Sequence, residues 1–371
     1  MLCPFCGGKS KTLFSGTLPI YLSALPVARS GENKLYPFSV ELCLSCGLGF
    51  NGNPAPPKTL NDIYDNYLYI DPFHNIGNTH FSHIADMIVG HSDARDKIVE
   101  IGSSVGFLLD LLRNRGYNDL TGIDPSPQSD IAISKGLNIY KKYYEASDFI
   151  DTVDLFVLRH IFEHFQDPFV VLRNMISRLS NNGKIIIETP NFSGFHHQHL
   201  FFYSYLFYTN LANSYGLNII DYEKYEDNII VVFAKRLNAS QIVKTGAIES
   251  VYDLAQKAKL QQDKLNKNVK CARNFLKEHS EIYWWGTGSF SAILLSQLSY
   301  DDLRDTPIFP LDSDINRKGF FLANIAQPIL YVEDIKGLKP KALVIGSSLK
   351  DEIKRAMKIY DIVPEKALEF D

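Results

Sequence analysis

The sequence has little cysteine and tryptophan, no excess of either charge, and no long apolar run. Its 371 residues include five cysteines and two tryptophans, and its net charge is −4 at pH 7. Hydrophobic and charged contents of 45% and 22%, ordinary for a soluble protein, argue against a disulfide-stapled mini-protein. The lack of a run of about 18 apolar residues predicts no membrane span. Without a basic stripe, neither nucleic acid nor anionic membrane is expected as a partner. A hydrophobic content of 45% predicts globular domains, two or three by length.

Four of the five cysteines stand in two Cys-x-x-Cys pairs, and each pair leads into glycine. Cys3 and Cys6 form the first pair, and Cys43 and Cys46 form the second. Two residues between ligands let both thiolates face one point, so two pairs supply a closed tetrahedral site for structural Zn²⁺. Disulfides, a redox pair and a catalytic zinc are the alternatives, although four thiolates leave a catalytic zinc no open position. Cys271 lies alone in a helical stretch and is expected to be incidental.

The first cysteine pair lies at the very start of the sequence. No charged and apolar leader precedes it, so we expect no signal peptide. Thiolates that bind zinc suit a reducing compartment, and the predicted location is therefore cytoplasmic.

Strands and helices alternate in the middle of the sequence. The expected strands are Ile98–Ile101, Leu120–Ile123, Leu137–Tyr140, Val153–Leu158, Lys184–Glu188, Asn218–Glu223 and Ile229–Ala234. This alternation predicts an α/β protein with a parallel, doubly wound sheet. The last two strands have only a short connection and must pair antiparallel. Seven strands with an antiparallel final hairpin describe the class I methyltransferase fold.

The C-terminal third predicts a long helix followed by another α/β unit. Apolar residues recur at helical spacing through residues 247–278, and a strand at Ile282–Trp285 then leads into Gly286-Thr287-Gly288. Ser291 takes the place of a third glycine. We predict three segments: a zinc-binding module on the substrate side at residues 1–70, a methyltransferase core at 71–236, and a linking helix with a Rossmann-like domain at 237–371.

A cofactor signature follows the first strand of the core, where an acidic residue precedes Gly-x-x-x-Gly. The dinucleotide fingerprint fails here, because Ser104 and Phe107 stand where it needs glycine. S-adenosylmethionine, which has a ribose but no phosphate, fits better than NAD(P) or an unliganded scaffold. An acidic residue at the end of the next strand can accept hydrogen bonds from both ribose hydroxyls. The predicted cofactor-binding residues are Glu100, Gly102, Ser103, Gly106, Asp124 and Pro125.

In these features the chain resembles the sugar C-methyltransferases of deoxysugar biosynthesis, and in architecture the resemblance covers essentially the whole chain. It implies that the paired cysteines bind zinc and that the acceptor is a nucleotide-linked 3-keto sugar. It also implies an active-site histidine at the strand end Leu158-Arg159-His160 and an active-site tyrosine at Tyr69. The turn at Gly286–Gly288 would then buttress the substrate pocket or bind the carrier of the sugar.

The segment His196-His197-Gln198-His199 aligns with the Tyr-x-Glu-His of that family. The resemblance implies that His199 is the general base, whereas Gln198 holds the position of the glutamate and cannot ionise. Histidine suits deprotonation of a sugar hydroxyl, so C- and O-methylation both stay open. A solvated loop or a second metal site is the alternative for these histidines. The predicted catalytic residues are His199, His160, His196 and Tyr69.

The sequence as a whole predicts an S-adenosylmethionine-dependent methyltransferase. Its expected acceptor is a small, nucleotide-linked sugar in glycan, capsule, O-antigen or antibiotic sugar biosynthesis. The alternative is a non-catalytic scaffold of the same fold that binds a nucleotide sugar or a protein partner. Glu163-His164 is expected to cap or orient the helix that starts near Asp167-Pro168.

Overall fold

The structure is a computed structural model that describes residues 1–22, 25, 35–65, 77–148, 151–236, 249–322, 325–347 and 349–370. The chain divides into two units. The first comprises Met1–Phe14, Ser39–Pro54 and Gly77–Ala258, and the second comprises Ser15–Phe38, Ala55–Ile76 and Lys259–Asp371. The division into three consecutive segments stays a prediction, and Tyr69 lies outside the described residues.

The described strands and helices follow one another along the chain. The strands are β1 (Ser10–Pro19), β2 (Leu35–Cys43), β3 (Gly49–Asn51), β4 (Ile98–Ile101), β5 (Leu120–Ile123), β6 (Ile139–Tyr140), β7 (Val153–Arg159), β8 (Leu179–Pro190), β9 (Phe201–Phe202), β10 (Leu217–Tyr225), β11 (Asn228–Lys235), β12 (Ile282–Trp285), β13 (Ile308–Asp312), β14 (Leu330–Tyr331), β15 (Ala342–Ile345) and β16 (Lys366–Glu369). The helices are α1 (Pro57–Asp65), α2 (Gly77–His91), α3 (Phe107–Asn114), α4 (Ser129–Ser134), α5 (Pro168–Arg178), α6 (Tyr205–Ser214), α7 (Val251–Glu278), α8 (Ser289–Ser296), α9 (Tyr300–Leu303) and α10 (Lys350–Ile359). Within the described ranges, none of these helices has the length and apolar character needed to cross a membrane.

The first unit is built on a seven-stranded sheet in the order β10-β11-β8-β7-β4-β5-β6. Strands β4 to β8 are parallel to one another, whereas β11 is antiparallel to both β8 and β10. Parallel strands are buried on both faces and therefore read as apolar runs, as at Ile185-Ile186-Ile187 of β8. The predicted class I methyltransferase fold, with its antiparallel final hairpin, is confirmed.

Helices cover this sheet, and their first residues explain where they begin. Helix α5 starts at Pro168, and the carboxylate of Asp167 accepts a hydrogen bond from the N–H of Val170 at 3.0 Å. Asp167 therefore caps this helix, and the expectation that Glu163 does so is wrong. Helix α6 begins after Ser204, whose hydroxyl accepts from the N–H of Phe207.

A four-stranded sheet has the order β1-β2-β3-β9. In it, β3 pairs antiparallel with both β2 and β9. The two Cys-x-x-Cys segments flank β1 and β2 along the chain.

The second unit contains a parallel five-stranded sheet in the order β14-β13-β12-β15-β16. Trp284 and Trp285 are adjacent in β12 and fully buried, and each belongs to a different hydrophobic cluster. Successive strand residues point to opposite faces, so this sheet is covered on both sides. Parallel strands with helical connections are the arrangement that the glycine and strand pattern predicts.

Candidate active site

The loop that joins β4 to α3 lies at the carboxyl end of β4. Gly102, Ser104 and Gly106 have φ angles of 81°, 46° and 71°. This left-handed conformation is open to glycine but uncommon for serine. The N–H of Ser104 donates to the Asp124 carboxylate at 2.8 Å, and the N–H of Gly102 donates to the carbonyl of Ile123 at 2.8 Å. The structure thus brings the predicted residues of β4 and β5 together.

Two buried polar groups of this loop are left for a ligand. Among the described residues, neither Oε2 of Glu100 nor Oγ of Ser103 has a hydrogen-bond partner. Burial raises the pKa of Glu100 well above its usual value, and the charge of Asp124 acts in the same direction while Arg159 opposes it. Pro125, the last of the predicted cofactor residues, is exposed directly after Asp124. Unpaired buried groups are costly, which is a reason to expect a polar ligand here.

A carboxylate that the sequence did not single out organises the ends of β7 and β8. Glu188 is completely buried in β8, and its Oε1 lies 3.1 Å from Nε2 of His160. The same oxygen accepts a hydrogen bond from the hydroxyl of Tyr225. The other oxygen, Oε2, lies 3.3 Å from Nε of Arg159. Glu188 therefore joins two strand ends and the final hairpin.

Glu188 and the positive charges of Arg159 and His160 stabilise one another's ionised forms. Burial by itself raises the pKa of Glu188, but the charges of Arg159 and His160 outweigh it and lower that pKa to about 2. Burial by itself lowers the pKa of His160, but the carboxylates of Glu188 and Glu163 raise it to about 9. At neutral pH the pair is thus a carboxylate and an imidazolium. The guanidinium carbon of Arg159 also lies 3.9 Å from the ring centre of Phe81.

His160 also has an uncommon backbone conformation. Its φ is 47°, in the left-handed region that non-glycine residues seldom adopt. Its N–H donates to the carbonyl oxygen of Glu188 at 3.0 Å, which holds this turn in place directly after β7. Such strain persists where the surroundings determine the conformation, and it clusters at functional sites.

A second group of side chains surrounds Glu163, in a one-turn 3₁₀ helix at Phe162–His164. Oε1 of Glu163 lies 3.4 Å from Nδ1 of His160 and 3.9 Å from Nε2 of His199. The ring centre of His199 lies 4.8 Å from that of His164 and 3.8 Å from that of His196. Three of the four predicted catalytic residues are therefore brought together, and the fourth, Tyr69, lies outside the described residues.

The histidines of this second group differ from His160 in charge. Burial lowers the pKa of His199 well below its usual value, and the nearby His196 and His164 act in the same direction. Burial also lowers the pKa of His196, to about 3, and that of His164. These three imidazoles are neutral at neutral pH, whereas His160 is charged.

Sequence reasoning missed several members of these groups, among them Glu188, Glu163, His164 and Tyr225. Glu188 closes the apolar run Ile185-Ile186-Ile187, and a charge at the end of a buried strand is the signal that could have found it. Glu163 was expected to act only on the next helix. Tyr225 lies in the final hairpin, and nothing in the adjacent sequence marks it.

The four paired cysteines also meet in space. Their sulfur atoms lie within 4.8 Å of one another, with 3.7 Å between Cys3 and Cys46 and 3.5 Å between Cys6 and Cys43. A disulfide needs a sulfur–sulfur distance of about 2.0 Å, so these thiols are not joined. Four sulfurs at about 2.3 Å from a tetrahedral Zn²⁺ lie about 3.8 Å apart, and the observed pairs are close to this spacing. The donor set therefore fits zinc.

In the second unit, the glycine turn after β12 carries its own polar group. The N–H of Thr287 donates to the carboxylate of Asp312 at 3.1 Å, and its hydroxyl donates to the same oxygen. A guanidinium nitrogen of Arg317 donates to the Thr287 hydroxyl oxygen at 3.0 Å. These three side chains bind one another, so the turn holds a polar network of its own.

Comparison with known proteins finds a match to a methyltransferase domain within the first unit. A family model described as "Methyltransferase domain" matches residues 78–222. The C-methyltransferase NovU of Streptomyces niveus is 26% identical over 241 residues, which cover 59% of this chain and 56% of that protein. The chain thus spans about half the length of this relative.

Solved structures of methyltransferases are also similar to part of the chain. The magnesium protoporphyrin IX methyltransferase ChlM of Synechocystis PCC 6803, with bound SAM, is 12% identical with a TM-score of 0.35, over 47% of this chain and 88% of that one. The mitomycin 7-O-methyltransferase MmcR is 15% identical with a TM-score of 0.35, over 44% of this chain and 56% of that one. The family match and the strand order agree: residues 78–222 match the methyltransferase domain model, and the seven-stranded sheet has the class I methyltransferase fold.

Proposed function

We propose that this protein transfers a methyl group from S-adenosylmethionine to a nucleotide-linked sugar. One relationship carries the proposal: β4 and β7 are neighbouring strands of one parallel sheet. The polar loop after β4 and His160 after β7 therefore follow the carboxyl ends of adjacent strands, where ligands of such sheets bind. His196 and His199 follow β8, the next parallel strand. Methyl donor and acceptor would then lie side by side.

The donor side would use the loop and the end of β5. S-adenosylmethionine supplies an electrophilic methyl group on its sulfonium sulfur. Asp124, at the end of β5, is the acceptor for the ribose hydroxyls, and the backbone at Gly102 allows close approach. Glu100 and Ser103 offer buried polar atoms to the ligand. Burial raises the pKa of Glu100 in the ligand-free protein. A cationic group of a bound ligand would lower that pKa and favour the ionised carboxylate.

The acceptor side would use the histidines. A sugar hydroxyl must lose its proton as the methyl group arrives, and a neutral imidazole is the form that takes it. His199 and His196 are the neutral histidines with predicted catalytic roles, and in the described structure Nδ1 of each lacks a hydrogen-bond partner. Glu163, at 3.9 Å from His199, would stabilise the imidazolium that forms. The positively charged His160 would stabilise the negative charge that develops on the acceptor oxygen as it loses its proton.

The sugar class rests on the histidine segment before β9, which aligns with the active-site motif of the sugar C-methyltransferases. The relative NovU is named a C-methyltransferase, which supports methyl transfer but names no acceptor. Because Gln198 cannot ionise, the residues present favour deprotonation by histidine, and O-transfer is the simpler outcome. Analysis of the reaction product identifies the atom that receives the methyl group.

Cofactor binding is tested first, by calorimetry with S-adenosylmethionine. We expect saturable binding to the full chain and at least about tenfold weaker binding to Asp124→Asn, since a carboxylate–hydroxyl hydrogen bond is lost. Asp119→Asn is the matched control, because Asp119 is exposed directly before the same strand, β5. No binding at millimolar ligand, or equal loss in both variants, would contradict the proposal.

Turnover is tested with labelled S-adenosylmethionine and a panel of nucleotide sugars. We expect methyl transfer to at least one of them, with NMR of the product identifying the methylated atom. His199→Asn should lower kcat by about 100-fold or more if His199 takes the proton, whereas His83→Asn, at an exposed site, should not. Cofactor binding without transfer to any nucleotide sugar would instead favour the non-catalytic scaffold.

We further propose that the four paired cysteines hold a structural Zn²⁺. Cys3, Cys6, Cys43 and Cys46 would be its ligands, and four thiolates leave no position for a substrate. The ion would join the N-terminal segment to the turn after β2 and take no part in methyl transfer. The cytoplasmic location stays a prediction that such thiolates favour.

A further inference from the structure

Glu163, His164 and His199 bring three metal-binding side chains into one place. Each offers one ligand atom, and these atoms lie within 4.8 Å of one another. Glu163 and His164 come from the turn after β7, and His199 comes from the segment between β8 and β9. One carboxylate and two imidazoles are a donor set that divalent first-row metals accept.

The Glu163 carboxylate is buried without the partners that such a group needs. Its side chain is 2% exposed, and in the described part of the chain neither oxygen has a hydrogen-bond partner. A buried carboxylate is normally paired with a cation or bound to a metal. His160 contacts only Oε1, at 3.4 Å, and is itself held at 3.1 Å by Glu188. A second positive charge therefore has a place beside Glu163.

The two histidines are oriented as metal ligands commonly are. Nδ1 of His164 lies 2.8 Å from the carbonyl oxygen of Gln198, which can only accept. That nitrogen therefore carries the proton, and the lone pair of His164 lies on Nε2. A backbone carbonyl on the far nitrogen is the usual support of a metal-binding histidine. Nε2 of His199 already faces Oε1 of Glu163 at 3.9 Å.

We propose that Glu163, His164 and His199 form a binding site for one divalent first-row metal cation. Bonds of about 2.0–2.2 Å to nitrogen and oxygen require ligand atoms about 3–4 Å apart, so the most widely separated pair must approach by at most about 1–2 Å. Three protein ligands leave positions open for water or for an oxygen of the acceptor. The site rests on this geometry and not on the proposed methyl transfer.

A bound cation would also divide the histidines between two roles. His199 would be a ligand and could not take a proton from the acceptor. His196, whose ring centre lies 3.8 Å from that of His199, would remain for that role. The cysteine cluster is a distinct site, because four thiolates select zinc whereas a carboxylate with imidazoles also accepts manganese.

The test uses Mn²⁺ as the probe on the full, zinc-loaded chain, with electron paramagnetic resonance to count free Mn²⁺. We expect one saturable Mn²⁺ per chain and at least about tenfold weaker binding in Glu163→Gln. Glu223→Gln is the matched control, since Glu223 also pairs with a histidine, at 2.8 Å from His83, but lies outside the cluster. His199→Gln should weaken binding as Glu163→Gln does, and thermal melts should show all three variants folded.

The outcomes separate the cation site from the methyltransferase function. Saturable Mn²⁺ binding that depends on Glu163 and His199 supports the site even if no sugar is methylated. No saturable binding, or equal binding by wild type and Glu163→Gln, overturns it even if S-adenosylmethionine binds and a sugar is methylated. Equal loss in Glu163→Gln and Glu223→Gln also overturns it, because the effect would then not belong to this cluster.

Discussion

Nε2 of His160 and Oε1 of Glu188 meet at 3.1 Å across the carboxyl ends of the adjacent strands β7 and β8. The carboxylate is completely buried, and Arg159 and Tyr225 complete its surroundings. A buried charge needs such partners, and here they come from β7, from the turn directly after it, and from β10. The pair therefore links the stability of the sheet to the charge of a histidine at the candidate active site.

Glu188→Gln should lower the free energy of unfolding at neutral pH. The folded pKa of Glu188 is about 2, against an ordinary value of 4.5. One pKa unit is worth about 1.4 kcal/mol, so the ionised group contributes about 3 kcal/mol, and its loss also deprives Arg159 of this carboxylate and leaves His160 with Glu163 as its carboxylate partner. Urea denaturation of both proteins at pH 7 measures this difference.

The ion pair of Glu188 and His160 also predicts how the difference in unfolding free energy between wild type and Glu188→Gln changes with pH. A carboxylate with a lowered folded pKa stabilises the protein above its unfolded pKa and loses that contribution as pH falls toward the folded value. The gap between wild type and Glu188→Gln should therefore narrow from pH 4.5 toward pH 2. Arg159, His160 and Tyr225 face this carboxylate and must be intact. A gap that does not change with pH would show that the carboxylate is not ionised in the fold.

Glu100→Gln should stabilise the ligand-free protein and weaken cofactor binding. Burial raises the pKa of Glu100 above its usual value, so at neutral pH its ionisation opposes folding. A group with a raised folded pKa favours folding most at low pH, so the advantage of the glutamine variant should grow as pH rises. Thermal melts at pH 5 and pH 8, with and without S-adenosylmethionine, measure both effects. A variant that is less stable at both pH values would contradict this role.

The sequence predicted the strands of the first unit best where an apolar run is bounded by turns. Strands β4 and β5 begin and end at the predicted residues. Strand β8 starts five residues earlier than Lys184, at Leu179, because Leu179 pairs with Val153 of β7. Leu137 was expected in a strand, but it packs against Leu109 and Ala132 before β6 begins. Pairing partners and packing, which lie elsewhere in the chain, decide such bounds.

The candidate site could be predicted only in part, for a related reason. His160 and His199 were found from local motifs, but the carboxylates beside them were not. Glu188 and Tyr225 are 37 residues apart, and only the folded sheet brings them together. Glu163 lies shortly before Asp167-Pro168, a helix-start motif, so the sequence could equally assign it a role at that helix. Residues that contact one another only across strands have no recognisable motif in the sequence around each of them.

Gly106→Ala should destabilise the protein and weaken cofactor binding. Gly106 has φ of +71°, and a Cβ there would lie 2.8 Å from Cβ of Ala132 and also clash with Leu137. Gly136→Ala is the matched control, since Gly136 has φ of +74° but nothing within 4 Å of its would-be Cβ. The left-handed backbone alone should cost the control about 1–2 kcal/mol, and Gly106→Ala should lose more. Urea denaturation and calorimetry with S-adenosylmethionine compare the two, and equal losses would contradict a packing role.

Removal of the metal from the cysteine cluster should unfold the N-terminal segment of the first unit. Cys43 is fully buried and its sulfur lies 3.5 Å from that of Cys6, so Cys43→Ser should remove a zinc ligand and lower both zinc content and melting temperature. A strong chelator should lower the melting temperature of the wild type and leave that of Cys43→Ser nearly unchanged. Cys271→Ser, outside the cluster, should keep one zinc per chain by atomic absorption. Full zinc content in Cys43→Ser would show that the four thiolates do not act as one site.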